Sequence, residues 1–137
     1  MTRIEKSSII ASGDSVLINQ MIDVLLQYDY SVTIEKSIIK IISRILESEV
    51  NLLILDLDAP QELNFDSIDI IRKLRPRLPI IVLSMDNSLE TLKTLVQKGV
   101  FYSTIKPATT EEIEEVVKAI IRFNQIQKNN ESLMKEN

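Results

Sequence analysis

Five short apolar runs recur along this chain, and each is followed by a segment whose apolar residues repeat with helical spacing. The runs do not alternate apolar with polar residues, which indicates strands that are buried on both faces. Strands of this kind that alternate with helices form a parallel sheet with helices on each side. We therefore expect an α/β fold of five successive βα units, with strands in "SIIA" (8–11), "YSVTI" (30–34), "NLLIL" (51–55), "PIIVLS" (79–84) and "VFYSTI" (100–105).

Three local signals predict where helices begin and end. Asp66 is placed to cap the start of the third helix, and Gly99 is placed to end the fourth. Thr109 and Glu112 form a capping-box pattern before the last helix. We expect one domain over residues 1–127, followed at 128–137 by a polar tail that is either a frayed helix end or the start of a linker.

The composition excludes several kinds of chemistry. The 137 residues suffice for one domain, and they contain no histidine and no cysteine. Imidazole bases, histidine-bound zinc, thiolate nucleophiles and disulfides are therefore excluded on this chain. The net charge of −4 argues against direct binding to nucleic acid, and no apolar run is long enough to span a membrane. We expect a cytoplasmic protein whose chemistry depends on carboxylates, hydroxyls, lysines and backbone groups.

Polar residues follow the predicted strands at the end where a parallel sheet binds ligands. Each has an ordinary explanation, because aspartate favours turns, a serine in the position of Ser84 could cap the fourth helix, and Lys106 could be a solvated loop residue. Their occurrence at the same end of successive strands favours a functional site. The group comprises Ser12, Gly13, Asp14, Ser15, Asp56, Asp58, Ser84, Lys106 and Pro107.

Because of these residues, the chain resembles the receiver domains of two-component response regulators, from about Ser7 to the end of the last helix. The resemblance rests on "LLILDLDAP", "IIVLS" and "KP". It implies a flavodoxin-like (βα)5 doubly wound five-stranded parallel sheet in the order 2-1-3-4-5. It also implies a signalling domain that is not an enzyme, with Pro60 at the usual proline of the third-strand loop.

The same resemblance implies the role of each site residue. Asp56 would accept a phosphoryl group from a sensor histidine kinase or phosphotransfer protein, and Lys106 and Ser84 would bind phosphoryl oxygens. The Lys106–Pro107 peptide bond would be cis. A downstream partner or effector domain would be contacted through the fourth helix, fifth strand and fifth helix.

The chain departs from the receiver pattern in its metal site. Receivers carry two adjacent acids after the first strand that hold Mg²⁺ together with the acceptor aspartate, and here Ser12 and Gly13 stand at those positions. Serine and glycine supply little of the oxygen and charge that Mg²⁺ requires. A remaining site would use Asp56 and Asp58, or Asp14. We expect weak Mg²⁺ binding and slow phosphorylation or none.

The chain also departs from the pattern in the residue that reports the phosphoryl state. This residue is normally an aromatic three positions before the lysine, and here it is Ser103. Phe101 and Tyr102 lie just upstream, and we interpret both as core-packing residues. Two departures in one activation mechanism indicate an atypical receiver.

Alternatives remain beside the phosphorylated receiver. One is a pseudo-receiver that acts by protein interactions without phosphorylation, and a homodimer through the final helix fits either form. "LDLDAP" also resembles the aspartate motif of haloacid dehalogenase-like phosphohydrolases, although two βα units precede Asp56. A flavodoxin-like mononucleotide binder, with "SGDS" around a phosphate, is the third alternative.

Overall fold

The computed structural model describes residues 6–58 and 63–136. Five strands form one parallel sheet in the order β2-β1-β3-β4-β5, which confirms the predicted fold and strand order. The strands are β1 Lys6–Ala11, β2 Tyr30–Ile34, β3 Leu52–Asp56, β4 Ile80–Ser84 and β5 Tyr102–Ile105. The helices are α1 Ser15–Gln27, α2 Ile38–Glu47, α3 Phe65–Leu74, α4 Leu89–Gln97 and α5 Thr110–Glu136.

The sheet separates two apolar layers because successive side chains of a strand point to opposite faces. One layer joins alternate strand residues, such as Ile10 and Ile54, to α1 and α5. The other joins their neighbours, such as Ile9 and Leu53, to α2, α3 and α4. All residues of β3 and β4 are buried, which explains why these runs are apolar throughout.

The helix ends agree in part with the sequence predictions. Gly99 adopts a positive φ of 76° after α4, a conformation that glycine adopts without the steric cost of a side chain. The backbone N–H of Glu112 donates to the Thr109 hydroxyl, which is one half of the predicted capping box. The Glu112 carboxylate accepts hydrogen bonds from Tyr102 and Thr104 instead of completing the box.

The assignment of Asp66 as the cap of α3 is wrong. Asn64 caps this helix and forms a reciprocal pair of hydrogen bonds with Ser67. Asp66 lies in the first turn, where its negative charge faces the positive end of the helix dipole. Both residue types favour a helix start, and the backbone leaves the helical conformation at Asn64.

Helix α5 continues through the predicted tail to Glu136. The helix ends far beyond residue 127, so this segment is helical throughout the described chain rather than irregular. A domain boundary at 127 stays a prediction. Pro60 lies in 59–62, outside the described residues, so its expected position in the loop after β3 also stays a prediction.

Candidate functional site

Asp56 is the last residue of β3 and only 2% of its surface is exposed. Its Oδ1 accepts hydrogen bonds from the Lys106 ammonium at 2.6 Å and from the backbone N–H of Asp58 at 2.9 Å. Its Oδ2 accepts the hydroxyl proton of Ser12 at 2.7 Å. Both oxygens of this buried carboxylate are therefore held by donors that come from three different loops or strand ends.

Lys106 follows β5 and is the cation of the site. Its Nζ lies 2.6 Å from Asp56 Oδ1 and 3.3 Å from Asp58 Oδ2. Burial by itself would lower the pKa of Lys106, but its hydrogen bond and charge attraction to Asp56, and then to Asp58, outweigh that effect and raise the pKa above its ordinary value. The Lys106–Pro107 peptide bond is cis in the structure, as the resemblance implied.

Ser84 ends β4 beside the site and is buried. Its hydroxyl oxygen accepts the backbone N–H of Asp86 at 3.0 Å, and its carbonyl accepts the N–H of Lys106 at 3.1 Å. The structure therefore places Ser84 at the expected edge without a hydrogen bond to Asp56. Ser84 does not cap the fourth helix, because Ser88 does so through the N–H of Thr91.

The loop after β1 supplies a hydroxyl where receivers have acids. The fully buried Ser12 donates to Asp56, and its oxygen accepts the N–H of Asp14 at 3.0 Å. The Asp14 carboxylate turns away from this contact and caps α1 by accepting the N–H groups of Val16 and Leu17. Asp14 thus performs a structural task at the helix start.

The residues around Asp56 do not fit a magnesium site. Asp58 is held by the Lys106 ammonium and by the backbone N–H of Met85 at 2.8 Å, and Gly13 has no side chain. Over residues 6–58 and 63–136, no group of three or more Asp, Glu, His or Cys residues could hold a metal ion. An ammonium between two carboxylates already balances part of the charge that Mg²⁺ would otherwise neutralise. Mg²⁺ binding through Asp56 and Asp58 therefore stays a prediction, and the geometry argues against it.

Strand β5 shows what the residues near the expected switch position do. Phe101 and Tyr102 pack against the apolar layer beneath α1 and α5, as we predicted. The Phe101 ring meets Phe123 edge to face, with 5.6 Å between ring centres. Tyr102 also donates its hydroxyl proton to Glu112, which raises the pKa of this tyrosine and ties β5 to α5. Ser103 stands at the switch position itself, with a partly buried side chain.

The sequence analysis missed two residues of this edge. Asp86, two residues after Ser84, accepts the N–H of Ser88 at 2.9 Å and the hydroxyl proton of Thr91 at 2.7 Å. The backbone N–H of Ser88, and then the side chain of Thr91, lower the pKa of Asp86. The spacing Asp-x-Ser-x-x-Thr before an apolar helix is the signal that could have identified this cap.

Lys36 is the second residue that was missed. It lies two residues after the end of β2, and its side chain lies over the β1–α1 loop. A Cβ added to Gly13 would meet its Cε at 3.7 Å and its Nζ at 3.9 Å. Its position after a strand end, at the same edge as Lys106, is a weak signal in the sequence. A second ammonium therefore lies beside the loop in which receivers carry their acid pair.

Comparison with known families decides what kind of domain this is. The model of the response regulator receiver domain matches residues 9–118, which is well over half of the chain. The chain belongs to this family. Receiver domains are modules of two-component signalling. As a family, they interact with histidine kinases and effector domains.

Two curated relatives are DNA-binding transcriptional regulators named NtrC. The protein from Azospirillum brasilense is 34% identical over 80 residues, which are 58% of this chain and 17% of the relative. The protein from Bradyrhizobium sp. (strain RP501 Parasponia) is 27% identical over 111 residues, which are 81% of this chain and 23% of the relative. The receiver domain therefore spans less than a quarter of the length of each relative.

Solved receiver structures share the fold at low identity. A CheY-like response regulator receiver domain from Methanospirillum hungatei JF-1 has a TM-score of 0.71 at 19% identity, covering 98% of this chain and 100% of that one. A two-component response regulator from Clostridium difficile has a TM-score of 0.77 at 20% identity, covering 86% of this chain and 97% of that one. These structures agree in fold with the receiver domain.

The phosphohydrolase and mononucleotide-binder alternatives find no support. The family match and the position of Asp56 on β3, after two complete βα units, leave the phosphohydrolase interpretation without a basis. The mononucleotide interpretation needs free N–H groups at the start of α1, and Asp14 already occupies those of Val16 and Leu17. Within the described chain, no helix combines the length and apolar character needed to cross a membrane.

Proposed function

We propose that the receiver domain accepts a phosphoryl group on Asp56 from a histidine kinase or phosphotransfer protein and signals through the face formed by α4, β5 and α5. The observation that supports this proposal is the hydrogen bond between the Asp56 carboxylate and the Lys106 ammonium at the carboxyl edge of the sheet. An oxygen of Asp56 would attack the phosphorus atom. The bond from phosphorus to the donor imidazole would break, its electron pair would leave with the nitrogen, and an acyl phosphate would remain on Asp56.

The side chains around Asp56 can assist this transfer by position and charge. Lys106 can follow the developing charge because its ammonium donates three hydrogen bonds. Ser84 accepts the N–H of Asp86 and still has its own hydroxyl proton to donate to a phosphoryl oxygen.

The same geometry predicts that the transfer is slow. Asp56 and Asp58 carry two negative charges and Lys106 one positive charge, so these three groups leave an excess of one negative charge before a phosphoryl group arrives. The Asp56 carboxylate is also covered, and the side chains of Ser12 and Lys106 beside its oxygens restrict the approach of a phosphoryl donor.

The path from the site to the proposed output face runs through the β4–α4 loop. Any movement of Ser84 towards a phosphoryl group acts on Asp86, whose carboxylate holds the start of α4. The face beyond it carries exposed apolar side chains, as protein-binding surfaces do. These side chains include Leu89, Val96, Ile105 and Phe123.

A small-molecule phosphodonor tests the proposal. The protein would be incubated with acetyl phosphate, or with beryllofluoride, in the presence and absence of Mg²⁺, and intact mass and backbone NMR shifts would be recorded. We expect an adduct of one phosphoryl group that is absent in Asp56→Asn and present in Asp66→Asn, a matched change of an exposed aspartate. An adduct that persists in Asp56→Asn would contradict the assignment of the acceptor.

A second candidate function is a receiver that signals by protein interactions without phosphorylation. The observation that favours it is the Ser12 hydroxyl, which stands in place of an acid and donates to Asp56 Oδ2. In this form the hydrogen bonds from Ser12 and Lys106 to Asp56 would only hold the ends of β1, β3 and β5 together. A folded sample that shows neither an adduct nor NMR shifts would favour this function over the first.

A further inference from the structure

Lys36 brings a second ammonium to the carboxyl edge of the sheet. The β1–β2 register pairs Ile10 with Ile34, and the N–H of Glu35 donates to the Ile10 carbonyl at 3.1 Å, so the pairing continues beyond the end of β2. Two positions after Ile10 and Ile34, a continuation of this register places Lys36 beside Ser12. The pairing of these two strands therefore fixes where the backbone of Lys36 lies.

The side chain of Lys36 runs along the β1–α1 loop at Gly13. A Cβ at Gly13 would lie 3.7 Å from Lys36 Cε and 3.9 Å from its Nζ. Gly13 adjoins Ser12, whose hydroxyl donates to Asp56 Oδ2, and the Lys106 ammonium donates to Oδ1 of the same carboxylate. Because β2 and β5 lie on opposite sides of β3, the two ammonium groups flank Asp56, with Lys106 in contact and Lys36 beyond Ser12.

The Lys36 ammonium is not engaged by other groups. Across the described parts of the chain, it has no hydrogen-bond or ion-pair partner. Its neighbour Glu35 is held by Arg44 at 2.9 Å and does not neutralise it. Lys106, by contrast, is bound to two carboxylates. Lys36 can therefore take up a new anion without losing an existing contact.

A second cation at this edge changes the charge that a phosphoryl group meets. Asp56 and Asp58 carry two negative charges against the one positive charge of Lys106. Lys36 adds a second positive charge and brings these four groups to neutrality. A positive charge near the reacting carboxylate lowers the repulsion that an arriving phosphoryl group experiences, and this effect is strongest at short distance.

We propose that Lys36 is a phosphoryl-binding residue, which donates to one oxygen of the group transferred to Asp56 while Lys106 donates to another. Because Asp56 is an acceptor only under the proposed function, this role of Lys36 rests on that function. The Lys36 stem is flexible and its ammonium has three donors, so Nζ can move from Gly13 to a phosphoryl oxygen by bond rotations alone. Lys36 thereby supplies positive charge beside Ser12 and Gly13, where an acid pair would hold a metal ion.

The rate of phosphorylation by acetyl phosphate tests this role. An Asp56 oxygen attacks phosphorus, the bond from phosphorus to the acetyl oxygen breaks, and acetate leaves with the electron pair. We expect the parent chain to form the adduct as fast in EDTA as in MgCl₂, as followed by intact mass. Lys36→Gln should slow the reaction about tenfold or more, because a charged donor to the phosphoryl group is lost.

Two variants are matched to Lys36→Gln. Lys40→Gln removes the same charge from another exposed lysine, which lies in α2, and should keep the parent rate. Lys36→Arg keeps the positive charge and should recover most of the lost rate. Lys36 is exposed, so these variants should unfold in urea at the midpoint of the parent chain. A rate that is unchanged in Lys36→Gln, or one that depends entirely on Mg²⁺, overturns the proposal.

Binding of inorganic phosphate to Asp56→Asn distinguishes the role of Lys36 from the proposed function, because this variant lacks the acceptor carboxylate. In metal-free buffer, phosphate should produce saturable NMR shifts of the Ser12 and Gly13 amides. Adding Lys36→Gln should raise the dissociation constant about tenfold, whereas adding Lys40→Gln should not change it. Phosphate binding that depends on Lys36, without an adduct in the parent chain, would support the anion site and contradict phosphorylation of Asp56. Phosphate that does not bind, or that binds equally well after Lys36→Gln, overturns the role of Lys36.

Discussion

At the scale of single residues, Ser12 differs from the receiver pattern at a position that contacts Asp56. Its hydroxyl donates to Asp56 and accepts from the backbone N–H of Asp14, so one side chain serves a buried carboxylate and a helix cap residue. An acid at this position would instead repel Asp56 and require a cation. Serine therefore places a hydrogen-bond donor, and no additional negative charge, where receivers carry an acid.

Ser12→Ala should destabilise the folded domain. The change removes the only side-chain donor to Asp56 Oδ2 among the described residues and leaves the N–H of Asp14 without its acceptor. We expect a loss of about 1–3 kcal/mol in the free energy of unfolding, measured with urea. Ser37→Ala is the control, because Ser37 starts α2 without a side-chain capping bond. Equal losses in the two variants would show that the Ser12 contacts contribute little.

Restoring the acid pair should create Mg²⁺ binding. In Ser12→Asp/Gly13→Asp, two carboxylates are added beside Asp56 while Lys36 supplies only one nearby ammonium, so the metal-free domain should be less stable than the parent. Position 13 accepts a side chain, since its nearest contact would be Lys36 Cε at 3.7 Å and its backbone is not in the left-handed region.

Thermal unfolding measures the result for this double variant. Its melting temperature should rise with millimolar MgCl₂ and remain unchanged in NaCl of equal ionic strength. A ligand at 100 times its dissociation constant adds about 2.7 kcal/mol to the free energy of unfolding. A parent chain that responds to Mg²⁺ as strongly as the variant would show that Ser12 and Gly13 do not disable the metal site.

At the scale of elements, α4 connects the site to the proposed output face. Its start is held by Asp86 through Ser88 and Thr91, and Asp86 is held in turn by Ser84. Its end is held by Gly99, which adopts a positive φ. Both ends of the helix are therefore fixed, and a change in the conformation of the β4–α4 loop should change the conformation of its first turn.

Asp86→Ala should loosen the start of α4 while leaving the sheet intact. The variant loses the acceptor of the Ser88 N–H and of the Thr91 hydroxyl, so the first-turn amides should exchange with deuterium faster than in the parent chain. Amides of β3 and β4 should keep their protection. Asp66→Ala is the control, because it removes an acid from the first turn of α3 but no capping bond. Unchanged exchange in α4 would contradict the proposed link.

At the scale of the whole molecule, several buried or paired groups make stability depend on alkaline pH. Burial raises the pKa of Tyr30 to about 12, and hydrogen bonds to glutamates raise the pKa of Tyr28 and Tyr102. The pKa of Lys106 is also raised. Burial lowers the pKa of Lys6, and this shift changes stability with pH in the opposite direction from the other four groups. Most of these groups hold their protons more tightly in the folded state than in the unfolded chain.

Between about pH 7 and 10 these groups should leave the free energy of unfolding nearly constant, and it should fall between about pH 10 and 12. Below the pKa of the unfolded groups their contribution is complete, and it is lost as the pH rises through the folded values. Tyr30→Phe should flatten this fall, as measured by urea titrations at several pH values. It should also be neutral or stabilising at pH 7, because the Tyr30 hydroxyl is buried without a hydrogen-bond partner among the described residues.

Tyr28→Phe is the comparison for this experiment. It removes a tyrosine hydroxyl that is paired with Glu114 and is less buried. If the free energy of unfolding falls as steeply at alkaline pH in Tyr30→Phe as in the parent chain, Tyr30 does not control this pH dependence.

The sequence by itself predicted the parallel α/β class, because strands buried on both faces need apolar runs such as "LLIL" and "IIVL", and these alternate with helical segments along the chain. The doubly wound strand order, which the structure confirms, was implied by the resemblance to receiver domains. The sequence also placed Asp56, Ser84 and Lys106 at one edge, since the carboxyl ends of parallel strands meet there. It left the tail open between a frayed helix end and a linker, because its residues are polar although most of them favour a helix.

Only the tertiary structure decided which donor meets which oxygen. Ser12 and Lys106 lie 44 and 50 residues from Asp56 in the chain, and their contacts depend on how closely the strand ends approach one another. The tertiary structure likewise assigned Asp14 to a helix cap and Asp58 to Lys106, so both carboxylates are engaged by other groups of the chain. Residue spacing specifies the edge at which groups meet, whereas hydrogen-bond direction follows from backbone positions that arise only when the sheet and its loops are packed together.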